Sequence, residues 1–171
     1  MRKVLYILSQ LSDEDVEWLA GAGALRKVAP GAILITQGTP ADALIFVLDG
    51  EVSVSVADIG EIARLGVGEI LGEMSFVDKS PPSATVTATV PTQVLAVDRA
   101  LLAQHLLVSA EFAARFYLAI AMYLSVRMRA TVRHFGRSGA ESEAELNFDM
   151  LDTLHIAGAR FDRMIKRLLG K

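Results

Sequence analysis

Residues 66–86 read GVGEILGEMSFVDKSPPSATV (Gly66–Val86), and this stretch decides both the fold and the chemistry. A strand leads into Gly72. A short helical turn follows over Glu73–Val77, a loop over Asp78–Pro82, and a strand resumes at Ser83. Such a strand–turn–loop–strand unit is suited to holding an anion. Gly72 permits close backbone approach, and the N–H groups that open a helical turn lack intrahelical partners and can point at a phosphate. Ser83 and Ala84 add a hydroxyl and further N–H groups. A carboxylate at Glu73 repels phosphate but can accept from a sugar hydroxyl beside it.

Working outward, Leu25–Asp98 is punctuated by turn signals at Pro30-Gly31, Gly38-Thr39-Pro40, Asp49-Gly50, Gly60, Gly66-Val67-Gly68 and Pro91. Between them lie short β-rich runs: Ala32–Thr36, Leu44–Leu48, Glu51–Val56, Ile62–Leu65, Ala84–Val90 and Val94–Val97. Many short strands at this spacing predict a sandwich or barrel. Asp49-Gly50 fits a two-residue type I′ hairpin, with both residues at positive φ. Val52, Val54 and Val56 alternate with Ser53 and Ser55, one face buried and one wet. Thr85, Thr87 and Thr89 alternate with Val86 and Ala88 in the same way.

Helices flank this region. Ser12 and Asp15 form a capping pair that predicts a helix over Asp13–Ala20, ended by Gly21 and Gly23. Asp98 is a good N-cap for a short helix over Arg99–Leu107. A long helix follows over Ala110–Phe135. Its stripe of Phe112, Phe116, Ala119, Tyr123, Val126 and Ala130 suits packing on the β domain or a dimer seam. Residues 137–146 read as a polar linker, and a last helix spans Asn147–Leu169. There Leu151, Leu154, Gly158, Phe161, Ile165 and Leu168 line one side, able to fold back on the domain or to dock a partner protein. The expected organisation is a domain over 1–136 that includes the helix 110–135, the linker, and an accessory helix in 147–171.

Composition narrows the function. Of 171 residues none is cysteine, which excludes disulfides, thiolate metal sites and cysteine nucleophiles. The net charge of −3 and the absence of a block of like charge argue against a nucleic-acid binder. Arg127, Arg129, Arg133, His134 and Arg137 are the cations expected at a helix C-terminus. The most apolar run, Phe116–Val126, is too short for a bilayer and is bracketed by Arg115 and Arg127. The N-terminal residues lack a signal-peptide pattern, so a cytoplasmic location is expected. His105, His134 and His155 have no metal-like spacing, and Glu69 with Glu73 has no nucleophile or metal beside it. The expectation is a binding protein with no metal and no catalytic residue.

The order "GE", apolar turn, loop, "SATV" resembles the phosphate-binding cassette of cyclic-nucleotide-binding domains. The segment PGAILITQGTPADALIFVLDGEVSV (Pro30–Val54) is similar to the opening strands of that family, and the long helix to its lid and dimer helix. The likeness covers about Leu11–Gly136. It implies a mainly β fold with α: a double-stranded β-helix, a jelly-roll-like β-roll flanked by helices. It implies a cyclic nucleotide ligand, cAMP or cGMP, and a homodimer through the long helix. It further implies that Glu73 takes the ribose 2′-hydroxyl, that Gly72 and the backbone at Met74 cradle the sugar-phosphate, and that Ser83 and Ala84 hold phosphate oxygens. Arg127, Met128 and Thr131 on the long helix would cover the base. Members of the family that regulate transcription continue into a helix-turn-helix domain, for which residues 136–171 are too few.

One position departs from the pattern. The family carries an arginine just before the Ser-Ala pair; here it is Pro82, which offers neither a cation nor an N–H donor. Lys79, on the same loop, can supply a point charge without the bidentate fork. Arg127 can reach in from the helix. Two readings follow: a cyclic-nucleotide sensor that signals by moving the long helix, or a fold that has lost its ligand and serves as an interaction module. A cation directed into the pocket favours the first; a pocket filled by Met74, Phe76 or the lid favours the second.

Overall fold

The computed structural model describes residues 8–136 and 149–169. The linker read over 137–146, and the start of the last helix at Asn147, fall outside them. Eight strands form two antiparallel four-stranded sheets: β1 (Gly23–Val28), β2 (Ile33–Ile35), β3 (Ala43–Asp49), β4 (Glu51–Val56), β5 (Gly60–Gly66), β6 (Ile70–Leu71), β7 (Thr85–Ala88) and β8 (Thr92–Asp98). The orders are β1-β8-β3-β6 and β2-β7-β4-β5. Helices are α1 (Asp13–Ala22), α2 (Glu73–Asp78), α3 (Arg99–Val108), α4 (Ala110–Gly136) and α5 (Asp149–Leu169). This is the expected β-roll flanked by helices.

The run Ala43–Leu48 explains the layering. Every residue of it is buried, because β3 is covered on both faces. Ala43, Ile45 and Val47 enter a core between the sheets with Val52, Val54, Val86 and Val94. Leu44, Phe46 and Leu48 point the other way, into a second core with Leu95, Val97 and the helices. The period of two along one strand thus builds both cores.

That arrangement corrects the hairpin reading at Asp49-Gly50. β3 pairs with β8 and β6, whereas β4 pairs with β5 and β7, so the chain changes sheet at this turn. Only Gly50 has positive φ there, +93°. A Cβ on it would lie 2.5 Å from Thr92 Oγ1 and 2.8 Å from the Pro91 carbonyl. Glycine is required by that close approach as well as by the dihedral. The hairpin joins β4 to β5 instead, with Asp58 and Gly60 at positive φ.

Ser12 caps α1 as expected: its hydroxyl accepts from Asp15 N, and Asp15 accepts from Ser12 N at 2.7 Å. The helix runs past Gly21 to Ala22. Arg115 of α4 grips the same Asp15 carboxylate through two contacts at 2.6 and 3.0 Å. Burial alone would raise the Asp15 carboxyl; Arg115 and Ser12 outweigh it and hold the group below the ordinary carboxylate range.

Of the two roles open to the α4 stripe, the structure shows packing. Phe112, Phe116, Ala119 and Tyr123 are wholly buried in the helix-facing core. A different side of α4 exposes Leu118, Met128 and Val132. The last helix also packs on its own chain. Ala157, Phe161 and Met164 are buried in the helix-facing core, Arg160 and Arg163 clamp Asp13 at 2.7 Å each, and Arg167 reaches Glu17 at 3.4 Å. Of the apolar face read on this helix, the described part packs in cis: Phe161 is buried, Ile165 and Leu168 pack against the core, and Ala157 and Met164 are buried beside them.

Candidate functional site

Gly72 turns the chain from β6 into α2. Its φ is +85°, a backbone conformation that L side chains rarely adopt, so the dihedral is what calls for glycine there. This left-handed turn carries Glu73 inward: the residue is only 3% exposed. Its neighbour Met74 points out, 52% exposed. Arg99 fastens the cassette helix from behind, donating to the carbonyls of Ala41 and Ser75 with its guanidinium over the Phe76 ring.

Between α2, the Ser80–Ala84 loop and α4 lies a cleft of about 150 Å³. Its floor is apolar, formed by Ile35, Val54, Leu71 and Val86 from the inner faces of the roll. Its rim carries Gly72, Glu73, Ser83, Ala84, Pro82 and Arg127. Five sequence-predicted residues, Gly72, Glu73, Met74, Ser83 and Ala84, therefore share one cleft with Arg127, over 40 positions further along the chain. Phe76 does not line it; its ring packs on Phe116. Lys79 does not line it either. It caps α2 in a left-handed conformation (φ +61°) and borders a neighbouring depression with Asp42 and Arg99. Lys79 thus borders that depression and not the cleft that Pro82 lines. The Thr131 side chain falls outside the described residues.

Among the described residues, Arg127 is the cation that lines this cleft. Its Nη1 donates to Glu73 Oε1, and its guanidinium lies 5.5 Å from the centre of the Tyr123 ring. Tyr123, one helical turn earlier, is fully buried. Its hydroxyl accepts from Ile70 N at 3.1 Å and donates to Glu69 Oε2 at 2.6 Å. Glu69 is itself buried. Two buried carboxylates, a phenol and a guanidinium thus form one network that pins α4 to β6 and the cassette. Burial pushes the Glu73 carboxyl above its ordinary range, the charge of Arg127 pulling against it. Burial, and then the Glu69 charge, push the Tyr123 phenol upward, so it stays a donor.

Glu69 and Tyr123 are the members that sequence reading missed as site residues. The signal was present: a tyrosine in an otherwise apolar buried stripe needs a partner for its hydroxyl, and it stands four residues before Arg127 on the same helix face. His105 packs, stacked on Trp18 at 3.8 Å between ring centres. Among the described residues no cluster of side chains could hold a metal ion, and no helix is long and apolar enough to cross a membrane.

Comparison with known proteins agrees with this geometry. The family model for the cyclic nucleotide-binding domain matches residues 25–107. The chain is 37% identical over 87 residues to the cAMP-dependent protein kinase regulatory subunit of Yarrowia lipolytica, covering 50% of this chain and 23% of that one. It is 37% identical over 75 residues to a cyclic nucleotide-gated potassium channel of Mesorhizobium japonicum, covering 44% and 20%. The matched region is thus less than a quarter of either relative. Among solved structures, a cyclic nucleotide-binding domain from Methylobacillus flagellatus superposes with a TM-score of 0.70 at 26% identity, over 83% of this chain and 85% of that one. The cassette, the roll and the matched segment coincide, and residues 25–107 are a cyclic nucleotide-binding domain.

Proposed function

We propose that the protein is a regulatory module that binds a cyclic nucleotide, cAMP or cGMP, in the cleft between the cassette and α4. The observation that carries this reading is Arg127. It enters the cleft from the long helix and faces Glu73, placing a guanidinium where the cassette itself, with Pro82, has none. In this reading Glu73 receives the ribose 2′-hydroxyl, Gly72 and the Met74 backbone cradle the sugar, and Ser83 with Ala84 receives phosphate oxygens. Arg127 turns from Glu73 to the cyclic phosphate, and the α4 residues beyond it cover the base.

Signalling then follows from the exchange of partners. Without ligand, Arg127 ties α4 to the cassette through Glu73; with ligand, it ties α4 to the phosphate. The two states differ in their contacts, as a ligand-driven shift requires. A homodimer through the exposed side of α4, where Leu118, Met128 and Val132 stand, would transmit the change.

Calorimetric titration with cAMP, cGMP, cCMP and cUMP tests the reading. Saturable heat with at least one nucleotide, lost in Glu73→Ala, is the expected result. No heat and no thermal shift at millimolar ligand would leave the alternative, a fold kept for protein contacts without a ligand.

A further inference from the structure

We infer that the cleft contains a proton-binding site: Glu73 takes up a proton from solvent when an anionic ligand draws Arg127 away. The inference rests on the ligand reading above and concerns the charge balance of the same site. Every element around Glu73 contributes to that balance. The turn into β6 supplies Glu69, buried and bonded to Tyr123. Helix α2 supplies Asp78 at the rim, with Lys79 turned to the neighbouring depression. Helix α4 supplies Tyr123 and Arg127. The Ser80–Ala84 loop carries no charge, and the floor is aliphatic. Among the described residues the cleft lining therefore sets one guanidinium, Arg127, against two carboxylates, Glu73 and Asp78, with the buried Glu69 behind it on Tyr123.

A cyclic phosphodiester brings another negative charge. When Arg127 turns to it, Glu73 loses its counter-ion in a place where an unpaired buried carboxylate is strongly disfavoured. Burial already raises its proton affinity in the unliganded state, and the added anion raises it further. Protonated Glu73 keeps a carbonyl oxygen to accept from a ligand hydroxyl. It also gains an O–H donor, the polarity a phosphate needs and Pro82 cannot supply. The sign follows from linkage: a complex that holds more protons than its separated parts binds more weakly as pH rises.

Titrating cAMP into the protein at about pH 7 in phosphate and in Tris, buffers of different ionisation enthalpy, reads the protons directly. Uptake of up to one proton per site is expected, with affinity falling by up to about tenfold per pH unit between pH ~6 and ~8. Glu73→Gln, checked for fold by circular dichroism, should bind without proton uptake and with a flat pH profile. Should that variant be unstable, Glu69→Gln, which removes the neighbouring like charge, should lower the uptake. Equal enthalpies in the two buffers with binding intact would overturn this inference and leave the ligand reading standing, as would uptake that persists in Glu73→Gln. No binding with any cyclic nucleotide would overturn both.

Discussion

Arg127→Ala is expected to weaken cyclic-nucleotide binding by about tenfold to a hundredfold while the fold survives. A hydrogen bond to a charged group contributes roughly 1.5–3 kcal/mol, and here Arg127 is the guanidinium that lines the cleft. Two effects oppose each other. Removing the arginine takes the cation from the phosphate. It also frees Glu73, so the ligand no longer competes with an internal ion pair. The first wins, because among the described residues the cleft lining holds no second cation to meet the phosphate, and a Glu73 freed of Arg127 and protonated offers only a neutral donor in its place, a weaker partner than a guanidinium. Without ligand, breaking a buried pair by deleting one partner costs about 3–5 kcal/mol. The Arg127 side chain is 30% exposed, which places this loss toward the lower end. Calorimetry and thermal melting measure the two quantities separately. Arg127→Lys should recover part of the affinity, as a point charge without the fork. Unchanged affinity in Arg127→Ala would show that the phosphate does not meet α4.

Pro82→Arg is expected to strengthen binding by about tenfold to a hundredfold, the same 1.5–3 kcal/mol gained rather than lost. Pro82 lines the cleft beside Ser83. Its carbonyl accepts from Gly38 N at 2.8 Å, a bond the substitution leaves in place because only the side chain and ring nitrogen change. The Pro82→Arg/Arg127→Ala double variant should then bind more tightly than Arg127→Ala alone, since the two guanidinium groups serve one phosphate. Titration of the four proteins forms a cycle whose coupling energy measures that overlap. A folded Pro82→Arg variant with wild-type affinity would place the phosphate away from this loop.

Much of the architecture was legible because several signals agreed. Ser12 with Asp15, and Asp98 before Arg99, marked helix starts that the structure reproduces. The Val-Ser and Thr-Val alternations in β4 and β7 gave the correct faces of the second sheet. The hairpin at Asp49-Gly50 misled because local turn chemistry was weighed above the flanking pattern. The unbroken apolar run Ala43–Leu48 signals a strand covered on both sides, which a two-faced hairpin strand is not. β6 has two residues and no room for periodicity; β1 carries Arg26 and Lys27 and shows no clean alternation.

The site was half legible. Gly72, Glu73, Ser83 and Ala84 are close in sequence, so a local motif carries them. Arg127 reaches Glu73 across 54 positions, and only the docking of α4 decides that it, rather than Lys79, faces the cleft. Glu69 and Tyr123 likewise meet across 54 positions through a helix packed on a two-residue strand. Whether the tail docks in cis depended on charge matching between Asp13, Glu17 and three arginines of α5, visible only once both helices are placed.

The most direct test of the central claim is the crystal structure of the protein with cAMP at saturation. The expected result is a cyclic phosphate oxygen within about 3 Å of the Arg127 guanidinium, with the ribose 2′-hydroxyl on Glu73 and the Arg127–Glu73 contact opened or shared. A cleft still closed by the Arg127–Glu73 pair, with no nucleotide between Gly72 and Ala84, would contradict the account.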